Sequence, residues 1–329
     1  YSKLMQPNQV LFQGEALPRA LPVCDHYAGT EVRMRKALLL QSQLGPVFDI
    51  TFDCEDGAPV GQEAAHAELV AELLLSSDNQ FNRVGVRIHD PSHPAWKSDV
   101  ASLIPRIGKQ VAFIMIPKVT SATQTQEVID EINHCAKTAG IGRLIPIQVL
   151  IETHGALHDV HAIAALSQVE SLSFGLMDFV SEHHGAIPAD AMDRNQFDHP
   201  LVARAMLEIS AACHAHGKVA SHNVCTNIND LEIIKSDTLR AKNEFGYTRK
   251  WSIHPNQIPV IVQNLSPSSS EIETASAILL AAQAASWGPI KHDGQLHDRA
   301  SYRYFWTVLQ KAHACGQKLP AEAEKLIAS

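Results

Sequence analysis

IPIQVLIET, residues 145–153, and VESLSFGLMDF, residues 169–179, are apolar runs of strand length that each stop on a carboxylate, Glu152 in the first and Asp178 in the second. A buried strand ends in a charge at little cost only if the charge leaves the core or a cation meets it there. Two successive strands doing so put two hard oxygen ligands on one rim. Such a pair suits Mg²⁺, which one or two carboxylates hold while water and substrate complete its shell. The spacing therefore predicts a metal site on Glu152 and Asp178.

Working outward, similar apolar strands recur at 20–27, 48–56, 82–90, 111–119, 144–153, 169–179, 217–225 and 249–258, with helical stretches between them. Their spacing of roughly 30 residues is that of the βα unit, and predicts an α/β fold, a (β/α)₈ TIM barrel. A doubly wound open sheet is the alternative, but it wants a glycine-rich turn after the first strand. Cys24-Asp25-His26-Tyr27-Ala28-Gly29 supplies one glycine. Helix starts are marked by Ser121 with Gln124, Asn229 with Glu232, and Ser268 with Glu271, each spaced as a capping box. Polar residues gather at the strand exits, among them Asp53, Glu55, Asp56, Arg87, His89 and Lys118. In a barrel that rim carries the active site.

The bulk composition excludes several classes. Net charge is −8, so no basic surface argues for nucleic acid. No run reaches the ~18 uninterrupted apolar residues of a membrane span, and no signal-peptide core is present. The six cysteines are scattered without a CxxC, as expected of reduced thiols in a cytoplasmic enzyme. The 18 histidines contain no HExxH, and the HAH at 214–216 falls in a helical stretch, so they point to no zinc site. Three segments are expected: a flexible N-terminal segment over 1–18, the barrel over 19–287, and a C-terminal helical extension over 288–329. In the extension Tyr302, Phe305, Trp306 and Leu309 form an apolar stripe that would dock on a barrel or on a neighbouring subunit.

At this point the motifs resemble a known family. FDITFDCEDGAP (48–59) is similar to a D-x-E-D-A segment and VGVRIHD (84–90) to a V-R-x-N strand; IMIPKV, VLIET, SFGLMD and WSIHPNQI follow in the family's order. The family is that of the citrate lyase β-subunit-like enzymes, including malyl-CoA lyases, within the HpcH/HpaI aldolase group. The resemblance implies a Mg²⁺-dependent barrel enzyme, trimeric or hexameric, that cleaves or forms a C–C bond between an acyl-CoA enolate and a small 2-oxo acid. It implies Glu152 and Asp178 as metal ligands and Arg87 as the substrate-binding arginine. DGQLHD (293–298) matches D-G-x-M-x-D, implying Asp298 as the acid/base, delivered by an adjacent subunit. His89 departs from the family's Asn, and GQEAAHAEL (61–69) departs from its K-x-x-A-R stretch.

The chemistry asks for these residue types. An enolate is charge on oxygen, and a guanidinium holds such an oxygen without ever deprotonating. Asp298 on sequence alone reads as the N-cap of a helix beginning at Arg299. Glu55 and Asp56 either hydrogen-bond metal-bound water or substrate, or form a solvated loop. Lys118 either neutralises a carboxylate or touches substrate. Arg19, Arg33 and Lys36 could meet CoA phosphates, although a solvated helix face is the commoner fate of such a run. Two other readings stand beside the CoA-dependent lyase: a CoA-independent class II pyruvate aldolase, and a citrate lyase β subunit that works on an acyl carrier.

Overall fold

The barrel strands form because each is buried along nearly its whole length and has a neighbour on both sides. The computed structural model describes residues 5–13, 15 and 20–328. It divides into two units, 21–265 and 1–20 with 266–329, so the division falls at 265, short of the expected 287.

In the larger unit the strands are β1 Cys24–Ala28, β2 Phe48–Asp53, β3 Val84–Arg87, β4 Ile114–Ile116, β5 Ile147–Ile151, β6 Val169–Phe174, β7 Val219–His222 and β8 Arg249–Ser252. They pair in chain order, all parallel, and β8 returns to β1. Among the described residues this is a closed (β/α)₈ barrel, as the strand spacing predicts. The intervening helices are α2 Glu31–Leu44, α3 Glu63–Leu75, α4 Trp96–Ile107, α5 Ala122–Thr138, α6 His154–His158, α7 Val160–Ala164, α8 Leu176–Ser181, α9 Pro200–Ala215, α10 Leu231–Phe245 and α11 Gln257–Leu265. Helix α1, Pro7–Phe12, belongs to the smaller unit. Ser121 caps α5 through the Gln124 N–H. At α10 the cap is Asp230, accepting from Glu232 N, and not Asn229.

Trp251 of β8 packs with Met115 of β4 and Leu150 of β5. These strands are not neighbours of β8, so the contact crosses the barrel interior. Alternation along a strand then turns Arg249 inward with Trp251, and Lys250 outward. Near the strand starts, Arg249 donates to Asp49 at 2.7 Å and lies 3.5 Å from Asp25, while Arg83 grips Asp49 at 2.7 and 2.9 Å. Thr51 donates to Asp25 at 2.7 Å. This ionic layer closes the barrel end away from the catalytic rim, the end where a barrel invests in stability.

Lys250 is buried, with Nζ donating to Asn223 O at 2.7 Å and lying 2.8 Å from His222 Nδ1. Burial lowers its pKa to about 8, against the pull of Asp237. The unfolded chain holds this proton to about pH 10.4, so across that window the unfolded state binds more protons and the Lys250 contribution to stability rises with pH. Urea unfolding of the wild type and Lys250→Met at pH 7.5 and 9.5 should show the wild type gaining about 2 kcal/mol on the variant. Equal pH slopes would contradict a proton lost from Lys250.

The smaller unit comprises α1, α12 Ser269–Ala284, a hairpin of β9 Ile290–His292 and β10 Gln295–His297, α13 Arg299–Ala314 and α14 Ala321–Ile327. Ser268 and Glu271 make the full capping box expected at α12. Tyr302, Trp306 and Leu309 of the apolar stripe are buried in one cluster with Ile272, Ala275 and Leu279 of α12 and Leu11 of α1. The stripe is thus packed within the smaller unit, on helices placed by the sequence pattern in the barrel and in the N-terminal segment. Periodicity shows that a helix has an apolar face without showing what that face meets. No helix among the described residues is long and apolar enough to cross a membrane.

Candidate active site

The barrel brings Asp53, Arg87, Lys118, Glu152 and Asp178 to the C-terminal ends of β2 to β6. Asp53 closes β2 and Arg87 closes β3, and the two stand opposite one another in register. Arg87 donates from Nε to Asp53 Oδ1 at 2.8 Å and from Nη2 to Oδ2 at 2.6 Å. Its Nη1 lies 3.3 Å from Glu55. The guanidinium also sits over the Tyr27 ring at 4.6 Å, and Tyr27 stacks on Trp251 at 4.5 Å. Asp53 therefore takes a two-pronged grip from Arg87, and Glu55 lies against the remaining Nη1. Asp53 further accepts from Glu55 N at 2.9 Å and Gly57 N at 2.6 Å, which folds the acidic loop. Gly57 has to lack a side chain, since a Cβ there would lie 2.4 Å from Asp53 Oδ2.

Glu55 is buried and Asp56 exposed, so the pair is not a uniformly solvated loop. Lys118 Nζ bonds both, meeting Asp56 at 2.7 Å and Glu55 by a closer contact. Burial works against its ammonium, but the bonds to Asp56 and Glu55 outweigh it and hold Lys118 protonated well above the usual lysine range. Burial raises the Glu55 carboxyl, with Arg87 and Lys118 opposing it. Lys118 adopts a left-handed φ of 49°, and its N–H donates to Glu152 Oε1 at 2.8 Å.

Glu152 follows β5 directly, and Asp178 lies in the first turn of α8 just after β6. The β5–β6 pairing ends with Ile151 opposite Phe174, which sets Glu152 beside Gly175. A Cβ on Gly175 would lie 2.2 Å from Glu152 Oε2, so the bare backbone makes room for the carboxylate. Glu152 is 2 % exposed. Burial first, and the Asp178 charge second, push its pKa up to about 8. Among the described residues neither Glu152 nor Asp178 has an ion-pair partner; Arg87 and Lys118 are taken by Asp53, Glu55 and Asp56. A buried carboxylate that feels a second carboxylate's charge, with neither of the two in an ion pair, fits a divalent cation held by both.

The other expected residues lie elsewhere. Arg33 and Lys36 are exposed on α2, which follows β1. Arg19 is outside the described residues. Asp298, in the smaller unit, caps α13, accepting from Ala300 N at 3.0 Å. Tyr27 and Trp251 were not singled out from the sequence, and Asp53 was noted at a strand exit without a role. For Asp53 the period-2 run Asp49-Thr51-Asp53 on β2 is a further sign, because it keeps polar groups on the face that a barrel turns inward.

A parallel barrel with two carboxylates lacking an ion-pair partner and a pinned arginine on its C-terminal rim offers the elements of a metal-assisted lyase or aldolase site. The HpcH/HpaI aldolase/citrate lyase model matches residues 37–255, and the chain belongs to that family and is a lyase of that type. It is 55% identical to a protein described as a citrate lyase from Burkholderia xenovorans LB400, with TM-score 0.87 over 98% of this chain and 99% of that one. An L-malyl-CoA/β-methylmalyl-CoA lyase of Cereibacter sphaeroides is 25% identical over 84% of this chain and 91% of its own length. The fold also matches the CitE protein of Mycobacterium tuberculosis, solved with magnesium, acetoacetate and coenzyme A, at 21% identity and TM-score 0.68 over 89% of this chain and 99% of that one.

Proposed function

We propose that this chain is a Mg²⁺-dependent carbon–carbon lyase that cleaves, and in reverse forms, a 3-hydroxyacyl-CoA of the malyl-CoA or citramalyl-CoA type. The products are an acyl-CoA and a small 2-oxo acid, and the working form is a homotrimer or homohexamer. The observation that carries the reading is the pair Glu152 and Asp178, adjacent and without a cation partner. The malyl-CoA lyase relatives support the substrate class, and the residues Glu152 and Asp178 would hold the ion. When bound, Mg²⁺ supplies Lewis-acid polarisation of the 2-oxo acid carbonyl.

The protein's own groups do the remaining work. Arg87 is held in place by Asp53 and backed by Tyr27, so its fixed positive charge stabilises the oxygen that becomes negative as the bond opens. Lys118 offsets Glu55 and Asp56, which keeps the acidic loop from repelling an anionic substrate. Asp298 gives the α-carbon its proton in cleavage and removes it in condensation. Arg33 and Lys36 lie on an exposed helix where CoA phosphates can meet them.

The test is turnover of malyl-CoA and citramalyl-CoA with Mg²⁺, followed by mass spectrometry of the acyl-CoA product and trapping of the 2-oxo acid. Arg87→Ala should lower kcat about 100- to 1000-fold; near-wild-type turnover would remove Arg87 from the reaction. Consumption of free aldehyde with pyruvate, and no thioester cleavage, would replace this reading with the CoA-independent aldolase. Activity solely on an acyl-carrier thioester would replace it with the citrate lyase β-type subunit.

A further inference from the structure

A second cluster of ligand-type side chains joins the two stretches that depart from the motif pattern to the turn that follows β3. His89 follows β3 in place of the Asn, and Glu63 opens α3 within GQEAAHAEL. With His93, from the turn before α4, they bring one ligand atom each to within 4.8 Å of one another. The His89 and His93 rings stack at 4.2 Å. Ligand atoms around a tetrahedral zinc lie about 3.3 Å apart, so closing on an ion takes shifts of about 1 Å.

The surroundings orient these groups. Asp99 of α4 is buried, and its Oδ2 lies 2.5 Å from His89 Nδ1 while also accepting the His89 N–H at 2.9 Å. A carboxylate on Nδ1 keeps the proton there and leaves Nε2 with a free lone pair, which is how metal-bound histidines are held. Glu63 Oε1 accepts from Gly61 N at 3.1 Å, leaving Oε2 for a ligand. His93 Nδ1 accepts from Ala95 N at 3.0 Å, and an ion bound at either ring nitrogen displaces that contact. His93 is therefore the ligand whose bond forms at the expense of another. Two imidazoles and one carboxylate are soft enough to favour zinc over Mg²⁺, and three protein ligands leave a fourth position for water.

We propose that Glu63, His89 and His93 form a zinc site separate from the Glu152–Asp178 pair, tying the start of α3 to the connection between β3 and α4. Asp99 is a positioning residue that acts through His89. The site does not depend on which substrate the barrel takes.

The test uses the full, untagged chain, stripped of metal and held in millimolar Mg²⁺ so that the hard oxygen pair is occupied. Zinc is titrated against a chromophoric chelator, and Co²⁺ is added separately as a spectroscopic stand-in. The wild type should take up one zinc more tightly than His93→Ala or Glu63→Gln by more than about 100-fold. Its Co²⁺ form should show the intense visible bands of a tetrahedral ion, absent in both variants. Asp99→Asn should weaken zinc about 10- to 100-fold. Glu63→Gln sits at an accessible helix start and keeps the test valid if another variant misfolds. Equal zinc affinity and equal Co²⁺ spectra across the wild type, His93→Ala and Glu63→Gln would overturn the site.

Discussion

Asp298→Asn should lower kcat by about 100- to 10,000-fold, the usual worth of a general acid/base, and leave the thermal midpoint unchanged. On the proposed function the side chain has two separable jobs. As the N-cap of α13 it needs an acceptor oxygen, which here takes the Ala300 N–H, and Asn supplies one as well as Asp does. As a proton carrier it needs a group that ionises, which Asn lacks. A far-ultraviolet spectrum and a melting curve report the first job, and steady-state turnover reports the second. If Asp298 is a cap alone, Asn will be silent in all three. A site shared between subunits adds a second expectation: mixed oligomers of Asp298→Asn and Arg87→Ala chains should regain activity that neither variant has by itself.

The largest expected effect on stability falls at the other end of the barrel. Arg249→Met should cost about 3–5 kcal/mol at pH 8, the price of removing one partner from a buried ion pair. Arg249 is 1 % exposed and sits against Asp49 and Asp25. Burial already raises Asp25 to about 6 with the arginine in place. A carboxyl raised on folding binds more protons in the native state, so its contribution falls as pH rises from its unfolded value through its folded one. Without Arg249 that window extends above pH 6, and the variant's deficit should widen between pH 5 and 8. Urea unfolding at those two values measures it. A loss below about 1 kcal/mol with no pH trend would mean that the layer is not held by charge.

What could be read from the sequence divides along physical lines. Most barrel strands end in a change from apolar to polar residues, and the strands recur at a regular spacing; both signs survive in one dimension, hence β1 to β8 were legible. The carboxylates of Glu152 and Asp178 were legible for the same reason, since each interrupts an apolar run. Contacts set by register were not. The Arg87–Asp53 grip, the Arg249 layer and the Lys250–His222 pair each join residues on neighbouring or distant strands, and their spacing along the chain carries no mark of the contact. Helix α12 shows the same limit: Ser268 and Glu271 mark its start, but nothing in its spacing names α13 as the helix it packs against. At α10 the cap moved by one residue because Asp230 and Asn229 are both capable acceptors, and the path of the preceding turn decided between them.

The central claim is that Glu152 and Asp178 share one divalent ion, and the most direct measurement is an anomalous difference map from crystals soaked in Mn²⁺, a spectroscopically heavier substitute for Mg²⁺. The account predicts a single peak about 2.0–2.2 Å from an oxygen of each carboxylate. Carboxylates that diverge with no peak between them, or that turn instead to Arg87 or Lys118, would contradict it.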